Sequence, residues 1–155
     1  MTYRFHIETL GCQMNVLDTE LLAAHLEAAG FQRAETRRQA NVILFNTCSV
    51  RQHAEDKVYS ALGRLKHVKE HRPGTIVGVL GCMAQKDREA IFRRAPHVDL
   101  VIGPGQLGRL AELIERVAAG EGPQMAISLD RRAGTREEVA ASFARLDFNA
   151  PEQRA

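Results

Sequence analysis

Cysteine occurs three times in the 155 residues, in the strings Leu10-Gly11-Cys12, Asn46-Thr47-Cys48 and Leu80-Gly81-Cys82. Each cysteine stands where an apolar, strand-like run gives way to a helical pattern. Thiolates are soft donors that select zinc, copper(I) or iron-sulfur clusters over magnesium or calcium. The intervals of 36 and 34 residues between positions 12, 48 and 82 each fit one βα unit with a little extra. Parallel strands bring the residues beyond their carboxyl ends to one edge of the sheet, so three soft ligands from three units can converge. Structural zinc is normally held by tight pairs such as C-x-x-C, which this sequence lacks. Three isolated thiolates suit three irons of a cubane cluster and leave the fourth iron without a protein ligand. For any one cysteine, burial in the core is the ordinary role. The repeated position after a strand argues against that role for the set.

The elements that must present these residues follow from periodicity. Tyr3 to Thr9 alternates as a first strand, and a helix capped by Asn15, with Asp18 three residues on, runs to about Ala29, where Gly30 stops it. Its buried stripe is expected to be Leu17, Leu21, Leu22 and Leu26. Phe31 to Glu35 reads as a short edge strand. Val42-Ile43-Leu44-Phe45 is a continuous apolar run, as in a strand covered on both faces. A long helix from about Arg51 to His71 carries Val58, Leu62, Leu65 and Val68, and Pro73-Gly74 ends it. Thr75 to Leu80 is the next strand, followed by a helix over Gln85 to Arg94, a strand over Val98 to Ile102 and a helix over Leu107 to Ala118. Strands alternating with helices predict an α/β fold, a three-layer, doubly wound (Rossmann- or flavodoxin-like), mostly parallel sheet of about five strands. Gln124 to Leu129 is a further strand candidate within a charged, alanine-rich stretch. The expected organisation is one domain over 3–119 and a linker-like tail over 120–155.

Each cysteine then lies near the amino end of the following helix, where unpaired N–H groups and the helix dipole favour a thiolate and an anionic cluster. Gly11 and Gly81 permit close approach at two of the turns. Gln13, Asn15, Asn46, Thr47 and Ser49 are placed to hydrogen-bond sulfur or substrate, although ordinary turn and cap chemistry uses the same residue types.

The strings TLGCQMNVLDTE (Thr9 to Glu20), FNTCSVRQHAEDK (Phe45 to Lys57) and VLGCMAQ (Val79 to Gln85) closely resemble the amino-terminal domain of the radical S-adenosylmethionine methylthiotransferases. Gly-Cys-Gln-Met-Asn and Asn-Thr-Cys-Ser-Val-Arg favour the tRNA-modifying (MiaB) branch over the branch that modifies a ribosomal protein. The resemblance covers about Tyr3 to Val117. It implies that Cys12, Cys48 and Cys82 are the ligands of an auxiliary [4Fe-4S] cluster associated with sulfur supply. It further implies a transferase that adds a methylthio group to isopentenyladenosine beside the anticodon, with the tRNA anticodon stem-loop and donors of sulfur and iron-sulfur clusters as partners. Full-length members carry a radical domain, whose C-x-x-x-C-x-x-C motif holds a second cluster and binds S-adenosylmethionine, and a small RNA-binding β domain. Neither is found in this sequence, so the chain alone is not expected to cleave S-adenosylmethionine. The rival readings are a cysteine-persulfide sulfurtransferase domain, a protein-modifying methylthiotransferase, and an RNA-docking module without a cluster.

A net charge of +2 does not by itself call for nucleic acid. The run Arg64, Lys66, His67, Lys69, His71 and Arg72 is opposed only by Glu70, which makes Arg64, Lys66, Lys69 and Arg72 candidates for tRNA phosphate contacts; the alternative is a solvated helix face. No aromatic residues interleave with these charges to stack bases. Gly103-Pro104-Gly105 lacks the remainder of a phosphate-loop motif and reads as a turn. No run approaches the roughly 18 apolar residues of a membrane span, and the start passes directly into a strand pattern. A cytoplasmic protein without membrane association is expected.

Overall fold

The computed structural model describes residues 3–10, 14–47 and 52–127. In order these form β1 (Arg4–Leu10), α1 (Met14–Ala28), β2 (Gln32–Arg33), β3 (Val42–Thr47), α2 (Gln52–His71), β4 (Ile76–Gly81), α3 (Cys82–Asp87), α4 (Glu89–Arg94), β5 (Leu100–Ile102), α5 (Leu110–Ala118) and β6 (Gln124–Ala126). Single 3-10 segments occupy Arg37–Gln39, before β3, and Pro104–Arg109, before α5. The sheet has the order β2-β1-β3-β4-β5-β6 and every pairing is parallel. The doubly wound α/β class is therefore the observed one, with six strands rather than about five. The sixth, β6, comes from the first part of the segment expected to be tail.

Two apolar layers sandwich the sheet. Phe5, Val42, Leu44, Leu80, Leu100 and Ile102 meet α1 and α5 on one face, while Ile43, Phe45, Val77, Val79 and Val101 meet α2, α3 and α4 on the other. β3 and β4 are buried at every position, the polar Asn46 and Thr47 included, as expected of strands covered on both faces. The steps β3→β4, β4→β5 and β5→β6 all run in the same direction along the sheet. Because α5 packs on the face opposite α2, α3 and α4, the last crossover has the opposite hand to the two before it. Leu110, Leu113 and Ile114 of α5 thereby cover Leu100 and Ile102, beyond the reach of α1.

Several local expectations need correction. α1 is already helical at Asn15, whereas a capping residue must be non-helical, so Asn15 lies inside the first turn and is not the cap. Leu21 is 37% exposed, because the core-facing positions of α1 are Thr19, Leu22, Ala23 and Leu26, and Leu21 lies on their flank. The side chain of Leu17 lies outside the described residues. The helix expected over Gln85 to Arg94 is two short ones, beginning at Cys82 and broken at Arg88, whose φ of 47° is left-handed. The last helix starts at Leu110, because Pro104 and two glycines favour a tighter 3-10 segment ahead of it. Gly30 ends α1 as expected: its φ is 96°, and Phe31 N–H donates to the Leu26 carbonyl at 2.9 Å, the closing bond of a helix C-cap.

Candidate metal centre at the carboxyl edge

β1, β3 and β4 are neighbours in the sheet, and their last residues lie in one register row: Leu10 opposite Thr47, and Thr47 opposite Gly81. In sequence, Cys12 comes two residues after this row, and Cys48 and Cys82 one residue after it. Cys82 is the first residue of α3 at the carboxyl edge and is partly exposed. Cys12, Gln13, Cys48 and Ser49 lie outside the described residues, as does the side chain of Asn15. Among the described residues no three His, Cys, Asp or Glu side chains converge on one point.

The residues that lead into the turns are held from both faces of the sheet. Asn46 is 2% exposed and its amide donates to Thr19 Oγ1 at 3.0 Å; Thr19 Oγ1 in turn is 2.6 Å from Thr9 Oγ1. This chain of three polar side chains ties the ends of β1 and β3 to α1. Thr47, on the opposite face, donates from Oγ1 to the Leu80 carbonyl at 2.7 Å and accepts from the Met83 N–H at 3.3 Å. The dipeptide before Cys48 therefore anchors its strand end to α1 on one side and to β4 and α3 on the other. Gly81 has a φ of 97°, and a Cβ there would collide with the Thr47 carbonyl oxygen. Only glycine lets β4 turn directly into α3 this close to β3. Thr19 belongs to this arrangement although the residue pattern alone assigns it no role; it lies within the string Thr9 to Glu20 and on the same helical face as Leu22 and Leu26.

Residues 4–103 match the profile of the Uncharacterized protein family UPF0004. The chain belongs to this family. A tRNA-2-methylthio-N(6)-dimethylallyladenosine synthase of Rhodopirellula baltica is 51% identical over 147 residues, 95% of this chain and 31% of that protein. Proteins of the same name from Burkholderia ambifaria (46% identical, 95% of this chain, 29% of the relative) and Saccharopolyspora erythraea (48%, 84% and 27%) are similar as well. The chain spans about a third of the length of these curated relatives. The UPF0004 match ends at Gly103, so it contains the three cysteines and the three strands that lead to them.

The basic run on α2 divides. Arg64 and Lys66 are exposed. Lys69 pairs with Asp99 at 2.5 Å and donates to the His97 carbonyl at 2.8 Å. Arg72 donates to the Arg38 and Ala40 carbonyls at 3.1 and 3.3 Å, closing the loop before β3. Lys69, partly buried, and Arg72, exposed, thus hydrogen-bond neighbouring segments of the chain, whereas Arg64 and Lys66 are exposed without such bonds among the described residues. Among the described residues no helix is long and apolar enough to cross a membrane.

Two further groups have shifted titrations. Burial lowers the pKa of His25 to about 4, and its Nε2 accepts the Ala111 N–H at 3.3 Å, linking α1 to the start of α5. Burial, then the hydrogen bond to Asp87, raises that of Tyr59 to about 12; the Arg94 guanidinium, stacked 3.5 Å over the ring, opposes the shift.

Proposed function

We propose that this chain is the auxiliary-cluster domain of a tRNA methylthiotransferase that modifies isopentenyladenosine next to the anticodon. The observation that carries the reading is the register row Leu10, Thr47, Gly81: three adjacent parallel strands end level with one another, and each is followed within two residues by a cysteine. Adjacent strands lie about 4.8 Å apart. A ligand set drawn from three consecutive strand ends spans roughly 10 Å, which cysteine side chains can close around one cluster.

The residues present fit such a group. Cys82, partly exposed at the carboxyl edge, is one ligand, and Cys12 and Cys48 are the other two. Bound there, a [4Fe-4S] cluster would offer one iron without a protein ligand, where the sulfur to be inserted can be held. The protein's own contribution is placement. Asn46 and Thr47 fix the strand end before Cys48 and Gly81 leaves room beside it; Gln13, Asn15 and Ser49, close to the cysteines in sequence, are of the residue types that hydrogen-bond cluster sulfurs. The domain expected over 3–119 extends to β6, its edge strand at Gln124–Ala126, and in a longer enzyme of this kind a radical domain would bind S-adenosylmethionine and the second cluster. The RNA-binding β domain belongs to the same longer, cytoplasmic enzyme.

Anaerobic reconstitution with iron and sulfide tests the reading. The wild-type chain should take up about four irons, and Cys12→Ala, Cys48→Ala and Cys82→Ala should each lose most of them while remaining folded. A chain that binds no iron with its thiols reduced would sink the proposal. Sulfur transfer that survives the loss of one cysteine would point instead to a persulfide.

A further inference from the structure

Strand β1 departs from the apolar rule of its neighbours. Phe5 and Ile7 pack on the α1 side, so alternation turns His6 and Glu8 to the α2 side. There they line an open cleft of about 700 Å³ together with Arg37, Lys57, Ser60 and Arg64. Glu8 is neutralised within the cleft: Arg37 Nη2 lies 2.6 Å from its Oε2, and Arg37 Nε donates to the same oxygen at 2.9 Å. The Arg37 guanidinium also sits 5.6 Å from the centre of the Phe45 ring, so this wall is fixed in place.

The opposite wall is one face of α2. Lys57, Ser60, Ala61 and Arg64 recur at i, i+3, i+4 and i+7 and face the cleft, while Val58, Leu62 and Leu65 enter the core. Two turns separate the cations by about 10 Å, and the small side chains between them leave a hollow. Neither Lys57 nor Arg64 has an ion-pair partner among the described residues. Asp56 also lines the cleft and would repel a compact polyanion such as a free triphosphate, but less so a chain whose charges are spread out.

We propose that this cleft binds phosphate esters, with Lys57 and Arg64 each engaging one phosphate and Ser60 able to donate a hydrogen bond between them. Asp56 and the two-turn spacing favour the backbone of an RNA strand over a free nucleotide. The cleft includes Thr9, next to the end of β1, so a strand lying in it runs toward the carboxyl edge. The inference stands on the cleft itself and does not require a cluster.

The test is binding by the whole chain of a labelled anticodon stem-loop RNA, by fluorescence anisotropy, and of ATP, by calorimetry. The double variant Lys57→Ala/Arg64→Ala should weaken RNA binding about 10- to 100-fold and lower the salt slope by about two, one for each phosphate left without its cation. Arg116→Ala, exposed on α5 on the opposite face of the sheet, should change it less than about twofold. Loss of ATP binding rather than RNA binding would keep the phosphate site and assign it to a free nucleotide. Wild-type affinity of the double variant for both ligands, or no binding of either by the wild type, would overturn the proposal. Both positions are exposed, so the fold should persist, and circular dichroism checks it. Iron content of the same variant reads the cluster separately: a chain that takes up no iron yet loses RNA on substitution would defeat the proposed function and leave the cleft standing.

Discussion

The two ends of the sheet are built from the same strands and treated oppositely. At the amino end, polar groups are closed upon each other. Asp99 accepts from Lys69 Nζ at 2.5 Å and from the buried Val77 N–H at 3.0 Å, Asn41 Oδ1 accepts the Arg4 N–H at 2.8 Å, and Arg72 ties the loop before β3. At the carboxyl end, Asn46 holds the Thr19 side chain of α1, Thr47 holds the backbone of β4 and α3, a glycine replaces any side chain, and Cys82 is partly exposed. The amino end can be called closed and the carboxyl end open, the latter being the side beyond which ligands bind in a doubly wound sheet.

The substitution that should disturb the open end most is Gly81→Ala. An alanine would have to adopt a φ near 97° and displace the Thr47 carbonyl, and strain of this kind costs about 1–3 kcal/mol before any loss of strand pairing. A total of about 4 kcal/mol is expected in urea unfolding, together with impaired iron uptake, since the displaced residue immediately precedes Cys48. Iron uptake equal to wild type would show that the spacing of the strand ends is not what places the ligands.

Much of this contrast is legible in the residues themselves. Apolar runs mark β3 and β4, and the strand-then-cysteine order locates the open end. The closed end is not legible, because Lys69 and Asp99 are 30 residues apart and a run of basic residues looks the same whether it is solvated or paired. The cleft escapes a sequence reading for a related reason. His6 and Glu8 share a face by simple alternation, but only the sheet order shows that α2 leaves that face partly uncovered. The break at Arg88 has no marker in sequence, since arginine is a good helix former.

A perturbation that belongs to neither end supplies a baseline. His25 is 7% exposed, with a folded pKa of about 4 against 6.5 when unfolded. Between those values the unfolded chain binds a proton that the folded chain does not. Stability should therefore fall as pH drops from about 6.5 to about 4, by up to about 3 kcal/mol, with no further loss from this group below that. Urea midpoints at pH 4.5 and 7 should differ in the wild type and converge in His25→Gln, whose amide oxygen can still accept the Ala111 N–H. An unchanged difference in the variant would assign the acid sensitivity elsewhere.

Asp99→Ala should have a smaller effect, and one confined to stability. It leaves the Val77 N–H buried without its acceptor, at about 1–3 kcal/mol, while Lys69 keeps the His97 carbonyl and is partly exposed, so about 2 kcal/mol in all is expected. Asp99→Asn retains an oxygen for the Val77 N–H and should recover much of that loss. Neither variant should alter iron stoichiometry or RNA affinity at temperatures where it is folded, because the residue sits at the opposite end of the strands from the cysteines. Lost iron in a folded Asp99→Ala chain would mean that the two ends are coupled through β4 and β5, and that the closed end helps to set the geometry of the open one.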